Sequence, residues 1–242
     1  MNTSEERLNV SLLVQLIRKM GHDMRAPLGS IISTSEMFGE GYYDPLTTKQ
    51  ARANERIQRN SGRVLALLDD FVTYIKAEAG DIEPTFKPFD PRSSLTEWCN
   101  KVRPTVEKKG LSLSTSLHDD MPISLQGDVS IVQRIMQALL WNAVTFTQEG
   151  NIGVESKWSA QDGWHISVQD SGIGIPDEDR PHIFEPFWRG QERPQSPTAG
   201  AGLGLPVSLA LTQLLNGELS FKQNTPKGSI FDLRLPFKAV SD

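Results

Sequence analysis

Only one cysteine, Cys99, stands among the 242 residues, so no internal disulfide is available. That points to a reducing compartment, with Cys99 as a small buried side chain. Long apolar runs are missing too: the longest, residues 131–144, is interrupted by Gln133, Arg134, Gln137 and Asn142. It falls short of the roughly 18 to 20 apolar residues a membrane helix needs. The opening residues Asn2, Thr3, Ser4, Glu5, Glu6 and Arg7 are not those of a secretory signal. There is no basic block, and 25 Lys and Arg against 30 Asp and Glu give a net charge of −5, which argues against nucleic acid as the partner. The resulting expectation is a soluble, cytoplasmic chain with no membrane span of its own. Its length suffices for two modest domains.

Helical periodicity dominates the N-terminal third. Leu13, Ile17, Met20, Met24, Pro27, Ile31 and Phe38 recur at spacings of three and four with one gap of seven, which predicts one stripe on a helix of roughly 30 residues. Ile57, Val64, Leu68, Phe71 and Ile75, with Leu65 and Val72 beside them, predict a second helix, and the glycines and proline of residues 39–46 separate the two. A hairpin with so wide an apolar face cannot cover it alone, so a homodimer forming a four-helix bundle is expected. Past residue 80 the pattern changes. Helices are predicted over 91 to about 109, 128–147 and 206–215, and strands over 111–117, 150–158, 164–169, 218–223 and 229–235. The fold class is therefore α+β: a helical hairpin at 1–80, then a two-layer α/β sandwich at 81–242 with helices on one face of a mixed sheet. A glycine- and proline-rich loop over 170–204 is tolerable in a compact domain only as a functional lid.

Five motifs punctuate this frame. Gly21-His22-Asp23-Met24-Arg25-Ala26-Pro27-Leu28 lies on the first helix, with His22 off the apolar stripe. Asn142 sits in Trp141-Asn142-Ala143-Val144-Thr145-Phe146-Thr147. Asp170-Ser171-Gly172-Ile173-Gly174 ends a strand, and Phe184-Glu185-Pro186-Phe187-Trp188-Arg189-Gly190 precedes Gly200-Ala201-Gly202-Leu203-Gly204. A neutral imidazole offers a lone pair near pH 7. Glycines let a backbone approach a ligand closely, and the first amides of a helix receive phosphate.

In order and wording these motifs resemble the H, N, G1, F and G2 boxes of the sensor histidine kinases of two-component signalling, along nearly the whole chain. The resemblance implies a Bergerat ATP-binding fold, ATP and Mg²⁺ as cofactors, and the receiver domain of a response regulator as partner. It makes His22 the phosphoacceptor, Asp23 the neighbour that fixes its tautomer and takes up its proton, and Arg25 a partner for phosphate or for a carboxylate. Asn142 becomes the magnesium ligand and Asp170 the acceptor for the adenine amine. Gly172, Gly174, Gly200, Gly202 and Gly204 become nucleotide contacts. Two positions depart from the pattern: Ala138 stands where a second asparagine is usual and Thr145 where a lysine is usual, with Arg189 the candidate replacement cation. Those departures keep a rival reading open, a histidine phosphotransferase or pseudokinase with weakened ATP use. An ATP-driven conformational clamp, which needs no His22 segment, is the third.

Overall fold

The computed structural model describes residues 3–190 and 201–240, with side chains from residue 14 onward. The chain divides into two compact units, Met1–Asp81 and Ile82–Asp242.

The first unit is a hairpin of α1 (Thr3–Gly39) and α2 (Thr48–Glu78). At 37 residues α1 exceeds the expected length, because its polar first turns carry no apolar period to mark them, and it runs through Pro27 without ending. Thr47 starts α2 with a capping box: its hydroxyl accepts from the Gln50 amide while the Gln50 side chain accepts from the Thr47 amide.

The expected α1 stripe splits into two. Its inner edge runs through Val14, Ile17, Gly21, Leu28, Ile32 and Ser35, which are buried or half-buried. It meets α2 at Val72 and at Asn54, whose side-chain amide donates to the Ser35 carbonyl at 2.7 Å. The outer edge, Met20, Met24, Pro27, Ile31 and Phe38, stays exposed, and Leu13 lies outside the described side chains. On α2 the same correction applies: Val72 is buried and Leu65 half-buried, while Ile57 and Val64 remain exposed. One partner helix covers only about 100° of a neighbour's surface, and these apolar sectors are wider.

In the second unit β1 (Lys87–Phe89) leads into α3 (Pro91–Lys108), β2 (Ser112–Leu117), β3 (Leu125–Gly127), α4 (Val129–Phe146), β4 (Asn151–Ser159) and β5 (Gly163–Asp170). A 3-10 turn at Arg180–His182 interrupts the long loop, and α5 (Gly204–Leu214), β6 (Glu218–Gln223), β7 (Ser229–Leu235) and β8 (Lys238–Ala239) complete it. Five strands form one sheet in the order β2-β4-β5-β7-β6, parallel between β2 and β4 and antiparallel elsewhere. Along β5, Trp164, Ile166 and Val168 are fully buried under the helices, and His165, Ser167 and Gln169 point to the other, polar face.

A second sheet, β1-β3-β8, was not expected; strands of two or three residues are too short to show a period. It closes one end of the core, where Phe89, Trp98 and Phe237 surround Trp164 with ring centroids 5.6 to 6.4 Å away. The Trp164 indole N–H donates to the Ser156 hydroxyl at 2.8 Å, so its burial leaves no polar atom unpaired.

Asp128 caps α4. One carboxylate oxygen accepts from the Ser130 and Ile131 amides and the other from the Thr85 amide at 2.8 Å, tying the linker to the helix start. Burial pushes the Asp128 carboxyl upward, but the Ser130 hydroxyl and these amides outweigh it, and the group sits below the usual carboxylate range. A depressed folded pKa stabilises fully above the unfolded value of about 4 and is lost as pH falls through the folded value. Asp128→Ala is expected to cost about 2 kcal/mol, the upper range for a cap, in urea unfolding at pH 7. The cost should shrink at pH 3.

Candidate functional site

His22 extends from α1 with its side chain 86% exposed, and its Nδ1 lies 3.4 Å from Asp23 Oδ1. With Asp23 as acceptor, Nδ1 holds the proton and Nε2 keeps its lone pair toward solvent. Arg25 is paired: its Nε donates to Asp69 Oδ1 of α2 at 2.8 Å, the carboxylate alternative of the two expected for it. Arg18, one turn before His22, meets Asp81 at 3.1 Å.

In the second unit Asp170 ends β5 and is 5% exposed. Its Oδ1 accepts from the Gly172 amide at 2.8 Å and the Ser229 amide at 3.2 Å, and the Ser229 hydroxyl also hydrogen-bonds the carboxyl. Burial raises its pKa against the pull of these donors. A carboxylate has about four lone-pair sites, so three donors leave room for one more. Sequence reasoning singled out Asp170 but missed Asn224, Gly228 and Ser229 behind it. Asn224 donates to the Asp170 carbonyl at 2.8 Å, and a Cβ on Gly228 would collide with that carbonyl. The one signal was the Pro226-Lys227-Gly228 turn, which reveals a hairpin but not what it packs against.

α4 joins the pieces. A Cβ on Gly172 would strike the Phe146 carbonyl, and the Ile173 amide donates to that carbonyl at 3.3 Å, so the turn after β5 sits on the C-terminal end of α4. Two turns earlier the Ala138 Cβ lies 3.8 Å from where a Cβ on Gly204 would be, beside the start of α5. Asn142, half-exposed, falls between them on the same face, because positions four apart stack. From Ala138 to Phe146 the helix rises about 12 Å. Lys109 steadies the far end, its ammonium donating to the Val144 carbonyl at 2.6 Å.

The α5 N-cap, Leu203, provides no side-chain acceptor, which leaves its first amides to donate to another acceptor such as a phosphate oxygen. Gly202 has φ +78°, its carbonyl accepts from the Phe187 amide at 3.0 Å, and a Cβ there would press on the Trp188 carbonyl. Gly174 (φ +74°) packs against Gln223. Arg180 fastens the first half of the loop, donating to the Ile175 carbonyl and to Gln223 of β6. Trp188 stacks on His182 at 4.5 Å. Arg189 is exposed at the end of this stretch, and Gly200 lies outside the described residues. His165 is a sheet residue 3.2 Å from Asp232, its pKa pushed down by burial.

Among the described residues no three His, Cys, Asp or Glu side chains gather as a metal site. Asn142 fits magnesium only as one amide oxygen beside ligands brought by nucleotide phosphates and water, which suits a hard ion that keeps much of its hydration.

Two family models match the chain. The His Kinase A phospho-acceptor domain covers residues 12–80, and the histidine kinase-, DNA gyrase B- and HSP90-like ATPase covers residues 127–239. The chain belongs to the two-component histidine kinases, with the phospho-acceptor and ATPase domains of their catalytic core. Sensor protein TorS of Escherichia coli strain K12 is 32% identical over 92% of this chain, and the histidine-protein kinase BarA of the same strain is 31% identical over 90%. The chain spans about a quarter of the length of these curated relatives, 24% of each. Among solved structures, full-length ShkA in complex with AMPPNP superposes with a TM-score of 0.80 over 94% of this chain and 47% of its own, at 22% identity, a likeness of fold. The phospho-acceptor hairpin and the Bergerat-type ATPase fold expected from the sequence are those of the family. Among the described residues no helix is long and apolar enough to cross a membrane.

Proposed function

We propose that the chain is an ATP-dependent protein histidine kinase that phosphorylates itself on His22 and passes the phosphoryl group to an aspartate of a response-regulator receiver domain. The observation that carries this reading is the pairing of an exposed histidine, its Nδ1 facing Asp23, with a second unit whose α4 links Asp170 to the uncapped start of α5. In this reading residues 1–80 are the dimerisation and phosphoacceptor domain and residues 81–242 the catalytic domain. Asp170 takes the adenine amine. The backbone at Gly172 and Gly174 lets the base approach, and Gly200, Gly202 and Gly204 present amides to the phosphates. Magnesium, held by Asn142 and the nucleotide, supplies charge neutralisation at the phosphates.

The chemistry asked of the protein is small. His22 Nε2 attacks the γ-phosphorus in line, the bond from phosphorus to the β–γ bridging oxygen breaks, and ADP leaves with that electron pair. The ring becomes cationic as the bond forms, and Asp23 takes up the Nδ1 proton, leaving a neutral phosphoimidazole. Arg25, kept by Asp69, stands one turn along as a cation for the arriving phosphoryl group. Such a reaction belongs in the compartment that holds the nucleotide, the cytoplasm. Incubation with γ-labelled ATP and Mg²⁺ tests it: the expected label is lost in acid and survives base. A protein that binds ATP without acquiring label would favour the phosphotransferase or pseudokinase reading, for which Ala138, set beside Gly204 at the phosphate end, is the supporting departure.

The exposed edges of both hairpin helices support a homodimer: Met20 is 58% exposed and Val64 50%. Burying what remains exposed of such side chains gains about 1 kcal/mol each. The segment 1–80 is expected to sediment as a dimer at micromolar concentration, and Met20→Glu with Val64→Glu to sediment as a monomer. A stable helical monomer from the parent segment would contradict the bundle.

A further inference from the structure

We infer that Gly21 is a positioning residue for phosphotransfer, its missing side chain setting the depth and rotation at which α1 presents His22. This rests on the reading of His22 as phosphoacceptor. Gly21 is buried in the middle of a helix, where glycine costs about 1 kcal/mol relative to alanine. Local propensity alone would favour alanine, so the reason for glycine lies across the hairpin. A Cβ at position 21 would stand 2.6 Å from Cγ2 of Val72, with Val72 Cβ and Cγ1 at 3.8 and 3.9 Å. Val72 is 4% exposed and sits within α2, and a valine in a helix keeps essentially one χ1 rotamer, so that methyl cannot swing aside. Ordinary contact begins at 3.4 Å, and a Cβ there would force the helices to part or turn by about 1 Å.

His22 is the next residue on the same rigid helix and carries that displacement in full. Two ion pairs bracket the contact on the histidine's flank, Arg18 with Asp81 and Arg25 with Asp69, at positions four before and three after His22. The two ion pairs are solvent-exposed, so the buried contact of Gly21 with Val72 is the one that sets the segment's depth and rotation. A misplacement of about 1 Å at a reacting centre costs up to roughly 100-fold in rate.

The test uses the full chain and three variants: Gly21→Ala, Val72→Ala and the pair together. The maximal rate of acid-labile labelling, the KM for ATP and the helix content by circular dichroism are measured. Gly21→Ala is expected to lower the maximal rate roughly 10- to 100-fold with KM for ATP and helix content unchanged. The double variant, which removes the opposing methyl, is expected to return to within a few-fold of Val72→Ala. Parent-like labelling by Gly21→Ala overturns the inference, as does a double variant as slow as the single one. Loss of helix content in Gly21→Ala overturns it as well, since the contact would then serve folding. A parent that does not label at His22 refutes the functional reading itself, a result distinct from a labelled parent with an indifferent Gly21→Ala.

Discussion

Replacing His22 by glutamine is expected to remove all label transferred from γ-labelled ATP while leaving nucleotide affinity at the parent value. The expectation is all-or-none, because an amide nitrogen has no lone pair basic enough to attack phosphorus, whereas neutral imidazole has one at Nε2. Of the other three histidines, His165 is held at Asp232 in the sheet and His182 lies between Glu185 and Trp188, while His118, exposed near Asp120, has no motif around it. Glutamine keeps a similar length and remains on an exposed helical position, so the fold is not expected to change. Label persisting in His22→Gln, located by peptide mapping, would assign the acceptor elsewhere.

At the nucleotide end, Asp170→Asn is expected to weaken ATP and ADP alike, by roughly 10- to 100-fold, the worth of a charge-assisted hydrogen bond of about 1.5 to 3 kcal/mol. Asparagine still offers one oxygen to the Gly172 and Ser229 amides, so the turn has its anchor. Its other end is an NH₂ that would face the adenine amine donor to donor. Asn142→Ala should behave differently, lowering ATP affinity in Mg²⁺ and changing it little in EDTA. Calorimetric titration with ATP and ADP, each with and without Mg²⁺, distinguishes the two. Equal affinities for parent and both variants would move the nucleotide away from α4.

Much of this was legible in the chain because boxes and periods are local signals. The β6 and β7 boundaries, 218–223 and 229–235, stand where the sequence predicts them, and the predicted helix 128–147 exceeds α4 by one residue at each end. What was not legible is relational. The spacing of Met20, Met24 and Ile31 announces an apolar stripe, yet nothing in it says that α2 takes the neighbouring edge through Gly21 and Ser35. Arg25 reads as a ligand for phosphate or for a carboxylate, and nothing local says that Asp69 of α2 stands beside it. Likewise Asn224 and Ser229 lie more than 50 residues from Asp170 along the chain, and only sheet pairing brings them behind it. The three-stranded sheet escaped because its strands are too short to have a period.

α4 touches the turn after β5 with one end and the start of α5 two turns away, so it acts as a gauge block between them. A gauge block tolerates substitution far better than a change of length. One residue inserted between Ala138 and Phe146 would turn everything beyond it by about 100° and push it along by about 1.5 Å. No local adjustment restores both ends at once, since each meets backbone rather than a side chain that can re-aim. Substitutions at Ala138 or Thr145 therefore leave the spacing between the two landmarks intact, whereas a change in the count of residues between them does not.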